Sequence, residues 1–320
     1  VGVVCYTYDT GTAGDLYTRI FPKPNATSGS VTATYSWDNL HRVTNITFSD
    51  GTPGYIYDYD KSSYAGWSDT LANPKGHLNY QLHYSYAGAV YSYDSMGRVI
   101  HTRQLTPTNY HTGGGFTTDY SYNYLGEVST YYATGNPYSF TNSYNGIGEL
   151  TAVTSSLSDA THPAALFSNG TYNALGKLVQ GTFGDGFDRA DTYDKMGRIT
   201  EIQDGVTSSP KYRVYLTYFS NGSVKTYNDT VGGSWAYTYD AFNRLATAAN
   251  ASTGNAYSYS YDQYGNRWQQ TLTAGTGYNV NYTFNGNNRN TTAGFAYDAA
   301  GNLTSDGSGC SPCWTYDYAG

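Results

Sequence analysis

Five stretches of the chain are variants of one phrase: YDSMGRV (Tyr93–Val99), YDKMGRI (Tyr193–Ile199), YDAFNRL (Tyr239–Leu245), YDQYGNRW (Tyr261–Trp268) and YDAAGNL (Tyr297–Leu303). A recurring Tyr-Asp-x-x-Gly-(Arg/Asn)-apolar unit makes the chain an array of one supersecondary element, each copy leaning on its neighbours. Weaker copies begin at Tyr35, Tyr122, Tyr144, Tyr172, Tyr218, Phe284 and Tyr316. The sequence therefore reads as a degenerate N-terminal strand region over residues 1–34, followed by one unbroken array over 35–320.

Each unit has a physical reading. Ahead of the Asp, aromatic residues alternate with Ser and Thr, as in AYSYSYD (Ala256–Asp262) and SWAYTYD (Ser234–Asp240). Period-two alternation predicts a strand with Tyr on one face and small polar residues on the other. The Asp then opens a turn, because its carboxylate can accept a backbone N–H two positions on. Gly three residues later supplies the positive φ that closes a type I turn with a bulge. The key positions are Tyr93, Asp94 and Gly97; Tyr193, Asp194 and Gly197; Tyr239 and Asp240; Tyr261, Asp262 and Gly265; and Tyr297, Asp298 and Gly301. One repeat is about one β-hairpin. A lone hairpin is marginal in water, so the copies are expected to pair edge to edge into a long, twisted, spiralling antiparallel sheet.

Composition fits that picture. With 38 Tyr and 5 Trp, the apolar area is aromatic rather than aliphatic. The formal charge of −7, with 17 Lys and Arg spread singly, argues against nucleic-acid binding. No run of 18 apolar residues exists, so no membrane-spanning helix is expected. The opening VGVVCYTYD reads as an internal or processed start.

The YDxxG(R/N)L units resemble the tyrosine-aspartate repeats, also called Rhs repeats, of bacterial Rhs and toxin-complex proteins and of teneurins. The resemblance covers residues 35–320 and implies an all-β sheet wrapped into a hollow shell or barrel wall. In the bacterial relatives such a shell encloses a toxic domain. This sequence has no DPxG-type closing motif, so neither that element nor a toxin is expected within it.

Candidate chemistry is sparse. Cys310 and Cys313 form a CSPC segment and Cys5 stands alone; a Cys310–Cys313 disulfide, free thiols and a metal site remain open. The six His form no metal motif. Asp185, Asp188, Asp191 and Asp194 crowd one stretch, yet their spacing departs from a calcium loop, so a solvated loop is expected. Asn-x-Ser/Thr sequons occur at Asn25, Asn45, Asn169, Asn221, Asn228, Asn250, Asn281, Asn290 and Asn302, candidate glycan sites if the chain is extracellular.

The expected function is a non-enzymatic extracellular or cell-surface scaffold without cofactors. It would form a β-shell or fibre wall, with self-association end to end into a filament as its expected partnership. The alternatives are an adhesin binding carbohydrate or a receptor, and the encapsulating shell of a toxin.

Overall fold

A computed structural model of the chain describes residues 3–11, 14–63, 70–83, 87–110, 114–133, 138–206, 209–309 and 313–316. The architecture is nearly all β. Among the described residues, twenty-three strands join one long antiparallel sheet, and two more, Phe295–Tyr297 and Leu303–Asp306, form a separate hairpin. The one helix among the described residues is the single turn Pro107–Tyr110, and none there is long and apolar enough to cross a membrane.

The predicted alternation is present in the register. In the hairpin of strands Gly233–Tyr239 and Leu245–Asn250, Tyr237 faces Ala248 while Thr238 faces Thr247. Opposed residues share a face, so Tyr lines one side and a Thr pair the other. The Thr238 and Thr247 hydroxyls hydrogen-bond at 2.6 Å and Thr217–Thr226 repeats the pairing at 2.5 Å, while Thr192, which faces Glu201, bonds the hydroxyl of the bulge residue Thr200 at 2.9 Å. Every strong hairpin also slips register just before the motif Tyr, at Ser92/Tyr93, Thr192/Tyr193, Thr238/Tyr239 and Ser260/Tyr261. The extra residue sits in the return strand, at Ile100, Thr200, Ala246 and Trp268, so the Tyr strand keeps its alternation up to the turn.

The chain divides into two compact units, residues 1–139 with 293–320, and residues 140–292. The first holds two apolar clusters. Leu71, Tyr80, Leu82, Val90 and Leu105 form one, with Ile56 against it. Phe21, Val31 and Ala33 form the other, backed by Tyr35, Ile46 and Phe48. The weakly patterned N-terminal region thus supplies a core, through strands Leu16–Pro22 and Ser30–Trp37 paired from Thr18/Thr34 to Pro22/Ser30. In the second unit Val214 and Ala248 are the buried apolar side chains among the described residues.

Candidate functional site

The repeat turn is the most elaborated polar site of the fold. At Asp94 the backbone N–H donates to Arg98 O at 2.9 Å, and the Gly97 N–H donates back to Asp94 O at 3.1 Å. The carboxylate completes the turn: Oδ1 accepts the N–H of Met96 (2.8 Å) and of Arg98 (2.9 Å), while Oδ2 accepts Arg98 Nε–H at 2.6 Å. Asp194 with Arg198 and Asp240 with Arg244 repeat the set, their Oδ2···Nε distances being 2.7 Å and 2.8 Å. Gly97 sits at φ +79°, and Asn243 fills the same slot of the Asp240 turn at φ +61°. Asn is the side chain that tolerates that region best.

In two turns the fifth position changes together with the first: Asn123 Nδ2 donates to Glu127 Oε2 at 2.6 Å, and Asn145 Nδ2 to Glu149 Oε2 at 2.7 Å. Asn173 and Asn285 keep a basic fifth residue, Lys177 and Arg289, whose backbone N–H donates to the Asn Oδ1 at 3.2 Å and 3.1 Å. Asp262 and Asp298 accept instead from Asn266 (2.8 Å) and Asn302 (3.0 Å). Donor and acceptor swap ends and the hydrogen bond survives.

Two further contacts tie each unit to the next. The motif Tyr hydroxyl reaches back to the first carbonyl of the preceding return strand. Tyr193 donates to Leu178 O at 2.8 Å, Tyr218 to Ile199 O at 2.6 Å, Tyr239 to Val224 O at 2.9 Å and Tyr261 to Leu245 O at 2.9 Å. In the first unit Tyr93 donates to Leu78 O at 2.6 Å and Tyr122 to Val99 O at 2.6 Å. The motif Arg leans the other way, its guanidinium over the next motif Tyr. Arg98 lies 4.5 Å from the Tyr122 ring centroid, Arg198 4.6 Å from Tyr218 and Arg244 4.6 Å from Tyr261. Each such Arg also donates Nη1–H to the carbonyl after that Tyr, as Arg244 does to Asp262 O at 3.2 Å. Sequence reasoning gave Tyr a packing role and Asp a turn role, and missed both of these connections. The paired exchange Asp/Arg for Asn/Glu was the signal that would have exposed the Arg.

These contacts set the electrostatics. The backbone N–H of the fifth residue, then its guanidinium, hold the Asp94, Asp194 and Asp240 carboxyls below the usual range. At Asp262 the Asn266 side chain does so. Burial pushes the Tyr93, Tyr193 and Tyr218 phenols up, so they remain donors.

The other candidate residues scatter. The four clustered aspartates have four different partners: Asp185 accepts from Phe187 N–H, Asp188 from Thr182, Asp191 from Arg189 and Asp194 from Arg198. Part of that stretch is strand, Asp188–Tyr193, rather than the solvated loop expected. It alternates across a ladder, which aims neighbouring carboxylates to opposite faces. No three His, Cys, Asp or Glu side chains gather at metal distance among the described residues. His77 stacks on Tyr93 at 4.3 Å, and His41 and His101 pair with Asp15 and Asp119 at 2.8 Å and 2.6 Å.

The sequons differ in environment. Asn250 and Asn290 are buried, and Asn45 and Asn302 are half-buried. Asn169, Asn221, Asn228 and Asn281 are exposed, and Asn25 is exposed with its carboxamide bonded to Tyr316. Cys313 is disulfide-bonded and Cys5 is an exposed free thiol; Cys310, His111 and Asp317–Gly320 lie outside the described residues.

No protein-family model and no curated protein matches the sequence. Solved structures do match the fold. A crystal structure of TcdB2–TccC3 with Cdc42 superposes with a TM-score of 0.66 at 15% identity, over 90% of this chain and 18% of that one. A structure of the Photorhabdus luminescens Tc holotoxin pore gives 0.70 at 16% identity, over 92% of this chain and 16% of that one. TcdB2–TccC3 without its hypervariable C-terminal region gives 0.67 at 16% identity, over 89% and 16%. The chain therefore shares the fold of a section of these proteins, and spans less than a fifth of their length.

Proposed function

We propose that the chain is a section of wall in a YD-repeat shell of the toxin-complex type, an extracellular scaffold that does no chemistry itself. The observation that carries this reading is the fold likeness to TcdB2–TccC3, which runs over 90% of the chain at a TM-score of 0.66. The turn geometry supports it. The polar groups that look most like catalytic machinery, the Asp–Arg pairs, are consumed in closing turns and joining repeats. Such a wall is stable as a sum of unit and neighbour terms, and can be extended by adding units. The scaffold's task is then to enclose or support something else.

End-to-end association is the second reading, and one observation favours it. Among the described residues the strand Cys5–Tyr8 is exposed throughout and pairs on one side, with Leu16–Pro22. An open edge offers unpaired N–H and C=O groups to another strand.

Electron cryo-microscopy of the full polypeptide that carries these repeats separates the two. Closed particles with a β-wall around an internal space are expected. Solid particles without such a space would overturn the shell reading, and chains joined through the Cys5–Tyr8 edge would establish the second.

A further inference from the structure

The loop from Lys23 to Gly29 joins strands Leu16–Pro22 and Ser30–Trp37, and Lys23 N–H donates to Gly29 O at 3.0 Å across its neck. Against it lies the YDAAG turn of the separate hairpin Phe295–Tyr297/Leu303–Asp306, in the same compact unit. Four hydrogen bonds join segments more than 270 residues apart in sequence. Asn25 N–H donates to Asp298 Oδ2 at 2.8 Å, a pair separated by 273 positions. Ala299 N–H donates to Ala26 O at 2.6 Å. The Asn25 carboxamide then grips the backbone of Tyr316, donating Nδ2–H to its carbonyl at 2.6 Å and accepting its N–H at 2.8 Å. A primary amide carries the donor and acceptor of a peptide group, so this side chain stands in for a strand residue and makes a two-bond bridge.

The loop and the turn are each adapted to this contact. Asn25 holds φ +58°, a conformation Asn tolerates and most side chains do not. Asp298 is only 4% exposed, and its turn carries Asn302 where the Asp94, Asp194 and Asp240 turns carry Arg. In those three the guanidinium takes Oδ2. Asn302 Nδ2 reaches the same oxygen with a single donor at 3.0 Å, and Asn25 N–H shares it. Burial opposes ionisation of Asp298, but the N–H groups of Asn25 and Asn302 outweigh it and keep the carboxyl below its usual range.

We propose that the Asn25 loop is a docking site for the YDAAG hairpin, and that the Asn25 side chain is a clasp on Tyr316, whose hydroxyl donates in turn to Leu303 O of that hairpin at 2.6 Å. The partner it recognises is a YD turn whose fifth residue is not Arg, together with one extended backbone residue. Asn25 is thereby assigned to docking rather than to glycan attachment.

Hydrogen exchange on Asn25→Gly tests this. Glycine keeps the positive φ at no steric cost, so the loop persists while both carboxamide bonds vanish. Two net hydrogen bonds correspond to roughly a tenfold to thirtyfold change in an opening equilibrium. The Tyr316 amide is therefore expected to exchange faster by that factor, and the hairpin amides 303–306, tied to it through the Tyr316 hydroxyl, by a smaller one, with the remaining strands unchanged. Asn169→Gly, at another positive-φ Asn (φ +56°) in the other unit, controls for the substitution itself and should leave the hairpin as it was. A Tyr316 acceleration below about threefold would overturn the clasp. So would an equal acceleration across all strands of that unit, which would make Asn25 a general stability residue.

Discussion

The two compact units are built from the same repeat and are held together differently. Residues 1–139 with 293–320 bury Phe21, Val31, Leu71, Leu82, Val90 and Leu105 in two clusters. Among the described residues of 140–292 the buried apolar side chains are Val214 and Ala248, yet the ladder is unbroken from Ser139–Tyr144 to Val280–Asn281. In the second unit cohesion must come from the sheet, from Tyr rings that half-shield one another, and from the hydroxyl and guanidinium links between repeats. These Tyr-Asp repeats can therefore form a continuous sheet without an aliphatic core, provided that each unit is bonded to the next. The first unit adds a core on top of the same device.

The largest expected effect breaks that contrast directly. Leu105 is 2% exposed within the first cluster, and Leu105→Ala should destabilise its unit by about 2–5 kcal/mol through lost transfer energy and a residual cavity. Exchange protection should fall in strands Leu78–His83, Ala87–Tyr93 and Val99–Leu105, and stay constant from residue 178 to 250. Equal loss in both units would mean that they share one cooperative transition, and the contrast would fail.

Much of this was legible in the sequence because a turn is a local object. Asp94, Gly97 and the alternation before Tyr93 each act within a few residues, so spacing alone exposes them. The Tyr193–Leu178 bond and the Arg198–Tyr218 stack join positions 15 and 20 apart. They become visible only once repeats are laid side by side. The N-terminal core was illegible for a different reason. Strand Ser30–Trp37 pairs by alternation, but its unit lacks a Gly turn, with His41 at φ +59° in that slot. The Asn25 clasp was hidden further, since its partners lie 273 and 291 positions away and Asn25 reads as a sequon.

A smaller effect sharpens the comparison. Tyr218→Phe removes the hydroxyl that donates to Ile199 O at 2.6 Å and keeps the ring under Arg198. The expected loss is about 1 kcal/mol, the net worth of one hydrogen bond. Tyr93→Phe deletes the equivalent bond to Leu78 O in the cored unit. If the links between repeats carry the second unit, chemical denaturation should lower its midpoint by a larger fraction for Tyr218→Phe than Tyr93→Phe lowers that of the first. Equal fractional shifts would put the cohesion of both units in ring packing alone.

Acid gives the mildest test near neutrality and a selective one lower down. The backbone N–H and side chains facing Asp194 and Asp240, and Asn266 facing Asp262, lower their folded-state pKa below the ordinary 3.8. A depressed carboxyl contributes stability that is present above the unfolded-state value and lost as pH falls through the folded-state value. Asp191 runs the other way, because burial raises its carboxyl despite the Arg189 partner, and protonation relieves it. Asp159, held low first by the Thr161 N–H, and Asp229, held low first by the Tyr227 hydroxyl, add to the three turn carboxylates. Five depressed carboxyls against one raised one should leave residues 140–292 unaffected from pH 7 to 5 and losing exchange protection below about pH 4. Asp94 obeys the same sign in the first unit, where Leu82, Val90 and Leu105 do not titrate and hold its strands together. Protection in strands Ile199–Val206 and Leu245–Asn250 should therefore fail at a higher pH than in Ala87–Tyr93 and Val99–Leu105. Simultaneous failure would place the turn carboxylates, rather than the missing core, in control of both units.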